Sequence, residues 1–239
     1  MCNKVVPHLK AGRLCCIIKE IDTRGGRFSV VRTAILVSGG GSNLQSILAA
    51  KLFGEIQNCN IVSVISSNQN AYALDRARAA GIEPSVVDVT TFPTKRTFNT
   101  ALMQKLGDLD VELVVLAGFM QILQRPIIKE YENRIISVHP SLLPAFCGPD
   151  CYGEQLHQMV LDQGVKVTGA TVHFVTEEMD AGPIILQKAV EVLPTDTAKS
   201  LQRRVMEQAE WEILPRAIDL FCRGKLRVAG RRVFIDEDA

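Results

Sequence analysis

Net charge is nearly absent from this chain: 27 Lys and Arg stand against 26 Asp and Glu in 239 residues, leaving +1 at neutral pH. So even a balance removes the broad basic footprint that nucleic acid or an anionic membrane surface demands. Small anions remain open, because a few local donors suffice for them. Long apolar runs are missing as well. None reaches the roughly 18 residues of a membrane span. The opening Met1-Cys-Asn-Lys-Val-Val-Pro-His-Leu-Lys10 lacks the basic, apolar and cleavage regions of a secretory leader. A cytoplasmic protein handling small molecules, with neither nucleic acid nor membrane as partner, is the expectation. Paired cysteine spacing is the third absence. Cys2, Cys15, Cys16, Cys59, Cys147, Cys151 and Cys222 are seven, an odd number at irregular intervals, which fits reduced thiols rather than a disulfide framework. Cys147, Cys151 and His157 fall one ligand short of a closed zinc site, so no metal is expected.

What is present is an ordinary globular composition, 47% hydrophobic and 22% charged, enough for one large domain or two small ones. Residues 1–31 carry scattered charges and an Arg24-Gly-Gly-Arg27 break without a sustained period. They read as an N-terminal extension, expected to be dispensable, and residues 32–236 as the domain. From Thr33 apolar strands alternate with amphipathic helices. Strands are expected at Thr33–Ser38, Asn60–Ser66, Glu83–Val89, Glu112–Ala117 and Arg134–Val138, with helices after Leu44, at Ala71–Ala80, Lys95–Leu106 and Pro126–Glu132. Uniformly apolar strands between helices imply a mostly parallel, doubly wound α/β sheet covered on both faces. After Pro144 the pattern becomes mixed: a helix near Glu154–Asp162, strands at Lys166–Val175 and Ile184–Val192, a long helix at Thr197–Phe221 and a terminal strand at Lys225–Ile235.

Three phrases carry chemistry. Ser38-Gly-Gly-Gly-Ser-Asn-Leu44 joins the first strand to the first helix. Its glycines allow close backbone approach, and a helix N-terminus offers unpaired N–H groups to an anion. A phosphate monoester fits this loop; so does a plain tight turn whose helix is capped by Ser42 or Asn43. Leu116-Ala-Gly-Phe-Met-Gln-Ile-Leu123 follows the fourth strand, where open α/β sheets form their ligand crevice. It can hold a flat heterocycle through backbone groups, or serve as core. The third is a pair. His139 leaves an apolar strand toward two prolines, and Asp180 ends the acidic turn of Val172-His-Phe-Val-Thr-Glu-Glu-Met-Asp-Ala-Gly-Pro183. Imidazole beside carboxylate is equipment for moving protons near neutral pH; a structural histidine and a surface turn are the alternative.

Taken together, Ser38-Gly-Gly-Gly-Ser-Asn-Leu-Gln45, Leu116-Ala-Gly-Phe-Met120, His139-Pro-Ser-Leu-Leu-Pro144, Gly169-Ala-Thr-Val-His-Phe-Val175 and Asp180-Ala-Gly-Pro-Ile184 resemble the phosphoribosylglycinamide formyltransferases, across about residues 32–235. The resemblance implies a Rossmann-like catalytic domain that moves a formyl group from 10-formyltetrahydrofolate, a co-substrate, to the amine of glycinamide ribonucleotide in purine synthesis. It places the ribonucleotide phosphate on Gly40, Gly41, Ser42 and Asn43, with Glu210 also contacting that substrate. It places the folate against Lys95, Met120, Gln121, Ile122, Leu123 and Ser137, with the turn 176–180 opposite. His139 and Asp180 become the proton-transfer pair, and His173 a supporting histidine. A monomer or weak homodimer is expected.

The chemistry is amine attack on the formyl carbon, which creates an oxyanion and requires a proton to pass between nitrogens. Three positions depart from the family pattern. Ser137 replaces an asparagine two residues before the histidine, Cys147-Gly-Pro-Asp-Cys-Tyr-Gly153 lengthens the loop after Pro144, and Trp211 replaces a histidine after Glu210. Ser137 is expected to be a weaker oxyanion donor. A formyltetrahydrofolate hydrolase, or a catalytically weak nucleotide- or folate-binding homologue, is the alternative function.

Overall fold

The computed structural model describes residues 30–148 and 150–236, so the expectation for residues 1–31 falls almost wholly outside the described residues. Strands β1 (Val31–Val37), β2 (Cys59–Ser66), β3 (Pro84–Val86), β4 (Leu113–Leu116) and β5 (Ile135–His139) pair in parallel, in the spatial order β3-β2-β1-β4-β5. Helices α1 (Ser42–Leu52), α2 (Ala73–Ala79), α3 (Lys95–Asp108) and α4 (Arg125–Glu130) connect them. The apolar run of β1 has a direct cause. Ile35 and Val37 enter one core cluster, Ala34 and Leu36 the other. Successive side chains of a strand face opposite sides, so a strand buried on both faces has no polar register. Helix α1 covers the first side with Leu44, Ile47 and Leu48, and α3 covers the second with Phe98, Leu102 and Leu106. This is the doubly wound arrangement the sequence implies.

The remainder is mixed, as expected. After α5 (Gly153–Asp162), strand β6 (Val167–Phe174) runs antiparallel to β5, and β7 (Ile184–Glu191) antiparallel to β6. Two elements differ from the sequence reading. The expected strand at 225–235 is a hairpin, β8 (Leu226–Ala229) and β9 (Arg232–Ile235), turned at Gly230 with φ 61°. The expected long helix is α6 (Ala198–Val205) and α7 (Trp211–Cys222), joined by a π-helical segment, Met206–Glu210. A π turn inserts a residue into the helical repeat and re-aims the side chains at its end. Here it delivers Glu210 into the interior, 8% exposed. Among the described residues no helix is long and apolar enough to cross a membrane.

Chain order reverses direction beside β1: the path goes outward through β2 and β3, then returns to β4 on the other flank. Such a switch point leaves a crevice at the carboxyl ends of the strands. The loops that follow β1, β4 and β5 all open there.

Candidate active site

The loop after β1 forms a pocket of about 270 Å³ lined by Gly39–Asn43, Arg76, Ala117 and Gly118. Gly41 is the N-cap of α1, at φ 72°, and no side chain caps the helix. The capping alternative for Ser42 and Asn43 is therefore not what the fold adopts, and the first-turn N–H groups face the pocket without a side-chain acceptor. Asn43 is engaged elsewhere: its Nδ2 donates to Glu210 Oε2 at 2.7 Å. Burial pushes the Glu210 carboxyl above its ordinary range, and the hydrogen bond from Asn43 partly opposes this. Asn43 Oδ1 is buried with no partner among the described residues. Sequence spacing of 167 residues hides this contact; the π segment produces it.

The loop after β4 is tied to the first. Met120 N donates to Ser38 Oγ at 2.9 Å, and Ser38 Oγ lies 2.7 Å from Ser67 Oγ. Met120 and Ile122 are 55% and 56% exposed, and Gln121 is half-buried. Leu123 is turned into the core beside Ile127, which leaves only its backbone for a ligand. Lys95, exposed at the start of α3, is brought near this loop by Asn99. The Asn99 amide donates to Lys95 O at 2.9 Å, and its oxygen accepts from Gln124 N at 2.8 Å. Sequence reading places Ser38 in the glycine loop without its tie to Met120 and does not find Asn99; each side chain meets a backbone group whose position only the fold defines. Arg125 Nε meets Glu177 Oε1 at 3.1 Å, linking this wall to the turn that carries Asp180. Both partners are exposed, so the pair contributes little stability.

The end of β5 holds the titratable groups. His139 Nδ1 lies 3.7 Å from Asp180 Oδ2, and His173 Nε2 lies 3.8 Å from Asp180 Oδ1. Each ring also meets a backbone carbonyl: His139 Nε2 donates to Phe146 O at 2.8 Å, and His173 Nδ1 to Phe174 O at 2.9 Å. A carbonyl only accepts, so both of those nitrogens carry hydrogen. Burial, the largest influence, holds His173 below the ordinary histidine range. His139 and His173 thus flank the Asp180 carboxylate from two sides. Asp180 adopts φ 53° and also accepts from Gly148 N at 3.4 Å. Gly182 closes the turn where a Cβ would stand 1.7 Å from Phe174 O. Ser137 pairs across the sheet with His173, and its hydroxyl has no hydrogen bond among the described residues.

His157 lies behind this cluster, fully buried, with neither ring nitrogen hydrogen-bonded among the described residues. Burial first, then charge on His139, lowers it to about 4. An unfolded histidine takes a proton near pH 6.5. Between those values the unfolded chain binds more protons than the folded one, so the His157 contribution is intact above about pH 6.5. It is lost as pH falls toward 4, by on the order of 3 kcal/mol. The melting temperature is expected to drop steadily from pH 7 to pH 5, and His157→Leu to flatten that drop. A decline equally steep in the variant would remove His157 as its cause. Cys147, Cys151 and His157 do not form a metal cluster: among the described residues no group of three or more His, Cys, Asp or Glu could hold an ion.

A sequence model of the formyl transferase family matches residues 31–218. The trifunctional purine biosynthetic protein adenosine-3 of Bos taurus is 38% identical over 249 residues, covering 99% of this chain but 24% of its own length. The chain thus spans about a quarter of that relative. Phosphoribosylglycinamide formyltransferase of Haemophilus influenzae is 37% identical, with 87% of this chain and 95% of that protein covered. Among solved structures, glycinamide ribonucleotide transformylase 1 from Symbiobacterium toebii superposes with a TM-score of 0.80 at 45% identity, covering 86% of this chain and 94% of that one. The family match, residues 31–218, spans every strand from β1 to β7 together with His139, Asp180 and Glu210, and the chain belongs to the formyl transferase family.

Proposed function

We propose that this protein transfers a formyl group from 10-formyltetrahydrofolate to the amine of glycinamide ribonucleotide. One observation carries the reading: an anion pocket behind β1 and an imidazole–carboxylate pair behind β5 open on the same end of the sheet, with an apolar, backbone-rich loop between them on β4. A phosphorylated amine and a flat heterocycle would meet at the imidazole. The folate donor supplies an activated formyl carbon when bound. The exposed Met120 and Ile122, with the backbone of Gln121 and Leu123, suit a pteridine, and the exposed Lys95 would meet an anionic tail. Gly40, Gly41, Ser42 and Asn43 would hold the phosphate, and Glu210 would orient the ribonucleotide.

The proton lost by the attacking nitrogen would pass to the folate nitrogen as its bond to the formyl carbon breaks and the carbonyl reforms. His139 would stabilise the oxyanion that forms when the amine adds to that carbon. Its imidazolium form satisfies the Phe146 carbonyl and Asp180 together. During reaction the Nε2–H would exchange a neutral amide oxygen for the developing oxyanion, and charge-assisted hydrogen bonds are roughly twice as strong. Phe146 holds φ 50°, an unfavourable conformation for a bulky residue, so the loop that must yield is already strained. A formyltetrahydrofolate hydrolase would not need the anion pocket. Donor consumption that requires glycinamide ribonucleotide, with a formylated amine as product, is the expected assay result. Equal consumption without the amine would overturn the reading in favour of hydrolysis.

Ser137 would be a short oxyanion donor rather than a nucleophile, since both nitrogens of His139 are committed and no acyl-enzyme is required. Its unpaired hydroxyl is available, though less firmly aimed than a carboxamide. Ser137→Asn is expected to preserve or raise kcat. Ser137→Ala is expected to lower it several-fold, less than the roughly 10²–10³ carried by a well-aimed donor. An inactive, folded Ser137→Asn variant or a trapped formyl-serine would contradict this role.

A further inference from the structure

Helix α2 is fastened to the glycine loop at successive peptides. Ala73 N donates to Gly39 O at 3.1 Å, and Arg76 Nε donates to Gly40 O at 2.9 Å. A trans peptide points its N–H opposite to its C=O. Drawing these two carbonyls toward α2 therefore turns the N–H groups of Gly40 and Gly41 away from it, and neither has an acceptor among the described residues. Packing reinforces the contact, since a Cβ on Gly41 would lie 2.8 Å from the Ala73 Cβ and 3.4 Å from Arg76 Cδ. The guanidinium itself is fixed on three sides. Besides Gly40 it donates through Nη1 to Gln45 Oε1 at 2.8 Å, and it lies 5.0 Å from the centre of the Tyr72 ring. Its Nη2 donors remain, and Arg76 is the one charged side chain among the residues lining the pocket.

The geometry points to Arg76 as a positioning residue of the anion pocket, holding the Gly40–Gly41 peptide in its donating orientation and supplying the positive charge that neutral N–H groups lack. This rests on the proposed function for the identity of the anion. Arg76 acts on one substrate only, so its loss shows as a split between kinetic constants. Arg76→Ala is expected to raise the KM for glycinamide ribonucleotide on the order of 100-fold, as for a lost charge-assisted pair. Arg76→Lys keeps the charge but not the planar fork, and about a tenfold rise is expected. In both, kcat at saturation and the KM for the folate should stay within about twofold of wild type.

Titration with inorganic phosphate alone separates this inference from the functional one. Phosphate affinity should fall in the same order, wild type above Arg76→Lys above Arg76→Ala, whether or not the wild type transfers formyl groups. Absent transfer would sink the functional reading only. Phosphate binding that is missing in the wild type, or unchanged in the variants, would overturn the role of Arg76. Should Arg76→Ala not fold, Gln45→Leu removes one anchor of the guanidinium and is expected to raise the same KM three- to tenfold; an unchanged value there would also count against the role.

Discussion

Asp180→Asn is expected to lower kcat by about 10²–10³ while leaving both KM values within a few-fold, a loss typical of removing one well-placed electrostatic partner. The substitution is nearly isosteric, and asparagine tolerates the left-handed backbone, φ 53°, that Asp180 adopts. An amide oxygen can still accept from Gly148 N, which lies 3.4 Å away. What disappears is the negative charge between His139 and His173, at 3.7 Å and 3.8 Å. Without it His139 loses the carboxylate beside its Nδ1, and with it the electrostatic partner that backs the ring as a donor to an oxyanion. His139→Asn should cost at least as much. The double variant should be little worse than His139→Asn alone, because the two groups act on one proton. Near-normal kcat in Asp180→Asn, or losses that multiply in the double variant, would show that the pair does not work as a unit.

The glycine loop, the loop after β4 and His139 are legible in the sequence as candidates because they sit at strand exits. Ala34–Val37, Leu113–Val115 and Ile135–Ile136 are apolar and buried on both faces, so the sheet is readable from its apolar runs, and its open end from the loops that follow them. Other features depend on contacts that no local pattern encodes. Arg76 lies in an unremarkable amphipathic helix, and its tie to Gly40 spans 36 residues. Phe146 contributes a carbonyl, not a side chain, and any residue in that backbone conformation would present the same atom. The π segment before Trp211 leaves helical periodicity almost intact, so Thr197–Phe221 reads as one helix although Glu210 is swung inward. The hairpin at 225–235 was read as one strand because Gly230 alone marks its turn. Leu123 keeps only its backbone for a ligand, because its side chain completes the second core cluster, a division that position in the loop does not reveal.

Gly40→Leu is expected to raise the KM for glycinamide ribonucleotide on the order of 100-fold, or to abolish saturation, with the folate KM and the melting temperature nearly unchanged. Between Gly40 and Gly41, whose N–H groups the α2 contacts turn outward, Gly40 is the one suited to the purpose. Gly41 has φ 72° and no room for a Cβ beside Ala73, so any substitution there strains the backbone and displaces α2 together. Gly40 has no left-handed requirement, and a Cβ added to it meets nothing within 4 Å. A leucine can therefore be built without disturbing the fold, and its side chain occupies space at the 270 Å³ pocket that the residue lines. A phosphate excluded from those N–H groups loses charge-assisted hydrogen bonds, and a factor of 100 corresponds to roughly 2.7 kcal/mol, the strength of one or two of them. Gly40→Ala should give a smaller rise in the same constant, which distinguishes graded filling of the pocket from misfolding. Parallel increases in both KM values would instead indicate a general disturbance of the strand ends. An unchanged ribonucleotide KM in a folded Gly40→Leu enzyme would place the phosphate elsewhere and leave the glycine loop as a turn.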